Sequence, residues 1–493
     1  MDYIEANTKS HGSKESPGAN YFIYQVKNVN IFLKLGLVTV AGCVVAFLKS
    51  AAMGYTSPAL SSMRSDPHFS ITREQESWVG AVMPAGALVG SLAAGPLMNQ
   101  LGRRLTQLYL VCPFILAWAL IATGKGVGVV VAGRVLCGAC VGVSMSVRIV
   151  YMAEIIQFDL RRTFNPIITC VTQLGMLVSF VAGQWLSWRG LAWLGVVYVI
   201  PLLPLLLILP ETPYHLTRTG RRDKSLAVLS MIRRTTEEAE LEQEQIDKSC
   251  HAGNEGNNTW QNSIGTLAAP SNLWPVGVGL SLMVAQQTTG ITAVYFFAST
   301  ILSPGNDSDG NQKTGYISVV MGVVNLLGTF LSLYGIRYYR RRSLLQMSSR
   351  MIVASLLVLA LFFWAQESGE IYLSDMTNSW SYVPTIALLT YILGFNMGWG
   401  RIPFLFIIEG MPSWIRGQAT SVLIATHWGL AFLVSKTFMW SLATFGSSTT
   451  FLACAIVTAI NNHLILRAMP ETFRKTTAQM NQVYLDAVAK KDQ

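Results

Sequence analysis

The sequence predicts an all-α membrane protein of about twelve transmembrane helices, arranged in two six-helix halves joined by a helical central loop. Three observations carry that expectation. The 493 residues are 51% hydrophobic and only 13% charged, against about 25% charged in soluble proteins. Apolar runs of roughly 20 residues recur along the chain, each long enough to cross a hydrocarbon core of about 30 Å. Motifs of the first half of the chain return in the second.

The runs fall at 34–56, 76–98, 105–123, 127–150, 165–187, 190–209, 273–301, 315–336, 344–366, 383–408, 418–441 and 447–468. In lipid their backbone groups must bond internally, so each is expected to be a helix. This divides the chain into a polar tail (1–33), a first half (34–212), a central loop (213–271), a second half (272–470) and a tail (471–493). No signal-peptide apolar region precedes the first span. The central loop carries the acidic run Glu237, Glu238, Glu240, Glu242 and Glu244, expected to be a solvated helix face.

Basic residues set the orientation. Arg103 and Arg104, Arg161 and Arg162, the group from Arg218 to Arg234, the group from Arg337 to Arg342, and Arg467, Arg474 and Lys475 all fall in breaks on one side. The other side is poor in them, with Arg64, Arg73, Lys125, Arg189 and Lys313. Both termini are therefore expected in the cytoplasm of a multi-pass plasma-membrane protein. The sequon Asn306-Asp307-Ser308 then falls outside and is a glycosylation candidate. Asn257-Asn258-Thr259 falls inside and should stay unmodified.

The net charge of +10 does not indicate nucleic acid, because the basic residues sit in short breaks between apolar runs. Six of the seven cysteines lie within the runs, so Cys137 and Cys140 read as buried thiols, not a redox or metal pair. No catalytic constellation appears. No enzyme activity, cofactor or metal site is expected.

The repeat is explicit. Glu154 precedes Arg161 by seven residues, and Glu409 precedes Arg416 by the same interval. Pro210-Glu211-Thr212 returns as Pro470-Glu471-Thr472, and Gly102-Arg103-Arg104-Leu105 has an echo around Arg341. Two six-helix halves related by duplication are the pattern of alternating-access carriers, with the site at the repeat interface.

These motifs resemble the sugar porter family of the major facilitator superfamily across the membrane-spanning part of the chain. The resemblance rests on Gly102-Arg103-Arg104 after the second span and on Gly133-Arg134 opening a helix that ends in Tyr151 and Glu154. It rests also on Pro210 to Pro213, Gln286-Gln287 with Gly290, Gly398 and Gly400 with Pro403, and Pro470 to Thr472. Gly54 to Pro58 and Glu76 to Gly80 look most like the insect facilitated trehalose/hexose subgroup. The resemblance implies the major facilitator fold and transport of a small-molecule sugar across the lipid bilayer, for which a single chain suffices.

A sugar offers many hydroxyls and little charge, so its site needs uncharged amides, hydroxyls and an aromatic face. Gln173, Gln286, Gln287 and Asn325 are amides within spans, and each matches a sugar-contacting position of the family. Trp428 matches a family aromatic. Interhelical hydrogen bonding is the competing role for such amides. The resemblance further implies a cytoplasmic gate of Arg103, Glu154, Arg161, Glu211, Arg341, Glu409, Arg416 and Glu471, whose charges pair across the halves when the inside is closed. The competing role is topological.

Several family positions differ. Asn99 and Arg337 replace acids before the two Gly-Arg-Arg turns, Arg340 replaces the second glycine, and Tyr214 replaces an arginine. At the site, Thr292 and His427 stand for amide residues, Phe404 for a tryptophan and Arg401 for a proline. Arg148 and Arg401 are cations within spans where the family is uncharged. They either snorkel or pair toward the inner carboxylates, or line a cavity for an anionic or altered ligand. Proton-coupled relatives carry an aspartate after Gly54-Tyr55, where this chain has Thr56. Uniport is therefore expected. The alternatives are a carrier of another small solute on the same fold and a sugar sensor that no longer transports.

Overall fold

The computed structural model describes residues 17–254, 270–302, 310–368, 382–411 and 415–473. Both sequons, Asn257 and Asn306, lie outside the described residues, as do Arg474 and Lys475. No strand occurs among the described residues.

The first half contains α1 (Pro17–Gly54), α2 (Thr56–Arg64), α3 (Arg73–Leu101), α4 (Arg103–Tyr109), α5 (Val111–Thr123), α6 (Val127–Ile155), α7 (Phe158–Ala182), α8 (Trp188–Val199) and α9 (Leu202–Ile208). Three short helices follow, α10 (Pro213–Arg218), α11 (Arg222–Ile232) and α12 (Thr236–Asn254). The second half contains α13 (Pro270–Thr288), α14 (Ile291–Leu302), α15 (Gly310–Tyr338), α16 (Arg341–Glu367), α17 (Val383–Met397), α18 (Ile402–Glu409) and α19 (Arg416–Ala468).

Among the described residues, nine stretches are long and apolar enough to cross a membrane. The predicted twelve crossings reconcile with nine stretches through three breaks. The seventh crossing, expected as one helix over 273–301, divides into α13 and α14 at Gly290, whose φ of 86° is unfavourable for any residue with a Cβ. The tenth divides into α17 and α18 between Gly398 and Arg401. The last two crossings share α19, which turns at Gly446 (φ 84°). Glu367 accepts from the Ser447 and Ser448 N–H groups there and caps the start of the twelfth crossing.

α3 and α6 pack backbone against backbone. A Cβ on Gly86 or Gly90 would lie 2.1 Å from the carbonyl oxygen of Val135 or Ala139. One on Gly138 or Gly142 would lie 2.0 or 2.2 Å from that of Met83 or Ala87. Each pair is spaced by four residues, so one small-residue stripe per helix admits the other. Large apolar side chains such as Val197, Ile208, Leu361 and Leu464 point outward, as the lipid-facing side of a crossing requires.

The two halves meet along α3 against α19 and α7 against α15. At the end remote from Arg103, α2 also packs on α14. At the arginine-rich end, α18 packs on α13 and α19 of its own half.

The central helices are docked. Buried Arg233 donates to the Ile155 carbonyl at 3.0 Å and pairs with Glu242. Ser225 and Gln243 tie α11 to α12. The acidic run is thus only partly a solvated face. Glu240 and Glu244 are exposed, but Glu242 holds a buried arginine against the end of α6.

Candidate functional site

The break after α13 builds the first polar cluster. Gln286 and Gln287 end that helix, and Thr292 opens α14. Gln286 Nε2 donates to the Trp399 carbonyl at 2.7 Å, within the tenth-crossing break. Thr292 Oγ1 donates to Gln287 Oε1 at 2.7 Å. His427 Nδ1 lies 3.0 Å from both Gln286 Oε1 and Gln287 Nε2. One nitrogen cannot donate to the first and accept from the second at once, so either tautomer leaves one amide group with spare capacity. Phe404 and Trp428 set their rings edge-on to His427 at 5.1 and 5.2 Å. Five predicted residues, Gln286, Gln287, Thr292, His427 and Phe404, therefore form one contact network with Trp428 as its wall.

A second cluster joins the halves. Asn396 Nδ2 (2.5 Å) and Tyr295 OH (3.0 Å) donate to Asn325 Oδ1. Gln173 of α7 reaches Asn396 Oδ1 at 3.5 Å, and Asn325 Nδ2 meets Met176 Sδ at 3.2 Å. Gln173 and Asn325 match family motif positions in the sequence, whereas Asn396 and Tyr295 match none. Asn396 satisfies the same criterion, an amide inside an apolar run.

Lys49, on α1, was also missed. Its Nζ sits 5.6 Å over the Trp428 ring, across the interface of the halves. Arg401 Nη2 donates to Thr329 Oγ1 at 2.8 Å, and its Nε is buried without a partner. Arg148 borders a pocket that runs past Tyr151 to Arg103 and Arg104. Glu154, the nearest predicted carboxylate in sequence, is held by Arg103 instead (2.6 Å).

The arginine-rich end is organised by two matching devices. Glu211 accepts from the N–H groups of Arg103 and Arg104 at 2.9 and 3.1 Å, at the start of α4. Glu471 accepts from those of Arg341 and Arg342 at 3.1 and 3.3 Å, at the start of α16. A carboxylate at a helix N-terminus satisfies otherwise unpaired N–H groups and the helix dipole. Tyr151 OH donates to the Pro210 carbonyl at 2.8 Å, tying α6 to the same turn. Arg104 caps α9 through the Leu206 and Leu207 carbonyls.

The departures from the family pattern have local substitutes. Tyr214 places its ring 5.6 Å from the Arg103 guanidinium. Asn99 accepts from Arg218 at 2.8 Å. Arg340 needs no glycine, because its φ is −64°. The side chains of Arg161, Glu409 and Arg416 lie outside the described residues; of the residues expected at a gate, Arg103, Glu154, Glu211, Arg341 and Glu471 are described.

Two helical halves, the second interrupted at two crossings beside polar clusters on the shared interface, define a membrane carrier of the major facilitator fold. Comparison with known proteins agrees. The "Sugar (and other) transporter" family profile matches residues 35–484. The facilitated trehalose transporter Tret1 of Polypedilum vanderplanki is 35% identical over 455 residues, 92% of this chain and 87% of that one. The Tret1 of Aedes aegypti is also 35% identical, over 454 residues, but the match spans only 54% of its length. Among solved structures, the proton:xylose symporter XylE bound to 6-bromo-6-deoxy-D-glucose superposes with a TM-score of 0.74 at 18% identity, covering 92% of this chain and 99% of that one. The chain belongs to the sugar (and other) transporter family of the major facilitator superfamily.

Proposed function

We propose that the protein is a facilitative sugar carrier of the plasma membrane, working by alternating access and moving a hexose or trehalose without proton coupling. The observation that carries this reading is the paired amide clusters. Uncharged donors and acceptors of α13, α15, α17 and α19 converge with Gln173 of the opposite half. Such groups suit a neutral polyol, and a ligand touching both halves can couple its binding to their rocking. The names of the Tret1 relatives support trehalose as one cargo.

Uniport rests on Arg134. This fully buried arginine donates to the Ala52 carbonyl (2.9 Å) and Thr56 Oγ1 (2.5 Å), both uncharged, at the position where proton-coupled relatives have an aspartate. The arginine-rich end is the cytoplasmic side in this reading, with both termini there and Asn306 outside and open to glycosylation. The boundaries at 34–212 and 272–470 delimit the rocking halves. In the gate, Glu154 and Arg161 face Glu409 and Arg416 when the inside closes.

Reconstituted proteoliposomes test this with glucose and trehalose counterflow. Uptake should survive a protonophore, and Gln287→Ala should reduce it about tenfold or more, as expected for losing a buried polar contact to a ligand. Uptake abolished by the protonophore, or unaffected by Gln287→Ala, overturns the reading.

A further inference from the structure

The amide clusters do not account for three cations beside them. Gly42 of α1 is level with Met152 of α6, since a Cβ on Gly42 would lie 2.0 Å from Met152 Cε. Arg134 reaches Ala52 farther along, so the two helices run antiparallel. From the Gly42–Met152 level, Lys49 lies seven residues on, about 10 Å. Arg148 lies four residues on in the same direction, about 6 Å. Seven and four residues return to nearly the same helix face, so both side chains project toward one region. Arg401 stands in the other half, in the tenth-crossing break one turn before Phe404. Lys49 Nζ lies 5.6 Å over the Trp428 ring, which meets His427 at 5.2 Å, and His427 meets Phe404 at 5.1 Å, so Lys49 and the Arg401 turn border one aromatic cluster.

Among the described residues, the carboxylates within the crossings are committed elsewhere. Glu76 pairs with Arg64, Glu154 with Arg103, and Glu367 caps the turn at Gly446. Glu409 lies eight residues beyond Arg401, about 12 Å along α18. Among the described residues, no ion pair involves Lys49, Arg148 or Arg401. Two buried donors of the same region, Arg401 Nε and Trp428 Nε1, also lack acceptors. Cations held together without counter-charge at membrane depth are costly. A ligand that brings negative oxygens offsets that cost.

We propose that Lys49, Arg148 and Arg401 form one anion site beside the amide clusters, which holds the carboxylate or phosphate of an anionic, sugar-sized cargo. The amides then read the hydroxyls and the cations read the charge. Because Lys49 and Arg148 belong to one half and Arg401 to the other, the bound anion bridges the halves. This assignment rests on the alternating-access part of the carrier reading and changes its cargo from a neutral sugar to a sugar-sized anion.

The test uses the full chain in proteoliposomes, with glucose, glucuronate, glucose 6-phosphate and inorganic phosphate as probes. Binding is read by thermal stabilisation and transport by uptake. Glucuronate or glucose 6-phosphate should bind about tenfold or more tightly than glucose, as charge-assisted contacts imply. Whichever of the two binds better identifies the carboxylate or the phosphate. The anion-to-glucose ratio should fall toward one in Lys49→Met and, independently, in Arg401→Gln. Inorganic phosphate should compete with the sugar anion and lose its effect in the double variant. A ratio near one in the unsubstituted chain, or one unchanged in both variants, overturns the site. Phosphate stabilisation that persists in the double variant also overturns it. Glucose uptake without anion preference sinks this site and leaves the neutral-sugar carrier standing. Anion uptake without glucose uptake supports the site and sinks the neutral-sugar reading. Absence of binding and uptake for every probe sinks both.

Discussion

Glu211 and Glu471 do the same work in the two halves over different backbones. Each accepts from two successive N–H groups at the start of a helix, and each sits beside an arginine only 6% exposed, Arg103 or Arg341. In the first half the chain enters the helix through Gly102, with φ 89° and ψ 174°, a region almost confined to glycine. In the second it enters through Arg340, with φ −64° and ψ 143°, which any residue adopts. Duplication has kept the carboxylate cap and released the glycine. The cap depends on where the carboxylate meets the amides, not on one way of turning the chain.

The largest effect that would sharpen this comparison comes from the caps themselves. Glu211→Ala and Glu471→Ala should each lower stability by about 2–4 kcal/mol, because two part-buried N–H groups lose a charged acceptor. The two losses should be similar. Thermal midpoints of the purified protein would show it, and a loss confined to one half would break the equivalence.

A smaller and deliberately unequal pair follows. Gly102→Ala should cost about 1–3 kcal/mol from backbone strain. Its Cβ would also lie 2.6 Å from Glu211 Oε2, so the cap itself must shift. Arg340→Gly should cost only about 0.5–1 kcal/mol, the entropy of an added glycine. Equal midpoint shifts in the two variants would contradict the backbone account.

The smallest effect concerns the rings. Tyr214 lies against Arg103 at 5.6 Å, and Phe473 against Arg341 at 5.4 Å. Tyr214→Leu and Phe473→Leu should each cost about 0.5–1 kcal/mol, the lower end of the cation–π range. Tyr214→Arg, the family-like residue, should be no more stable than the parent, since it sets a second cation near Arg103 in place of the ring. A clear gain in midpoint for that variant would mean the ring is not a substitute.

Much of this organisation was legible in the residues. Gln286, Gln287, Thr292, His427 and Phe404 each stand at a motif position of the sequence, and they form a contiguous network. From sequence, the glutamates of the two Pro-Glu-Thr turns look like gate charges that pair with side chains. The structure shows them bonding backbone N–H groups, which no charge pattern can reveal. Arg104 likewise caps α9, although it reads as one more inward-facing positive charge. Lys49 escaped notice because it interrupts the 34–56 run without breaking its hydropathy. Asn396 escaped because it sits in no motif.

Alone, the sequence determined the all-helical class, the twelve crossings, the duplication and the polar residues that cannot face lipid. Those follow from local rules: a backbone in hydrocarbon must satisfy itself, and apolar length counts crossings. Only the tertiary structure decided where the crossings break, which glycines bring α3 and α6 into backbone contact, and that Lys49 meets Trp428 across the halves. Those depend on distances between segments far apart in the chain. Hydropathy and spacing record what each helix needs, while packing alone decides which neighbour supplies it.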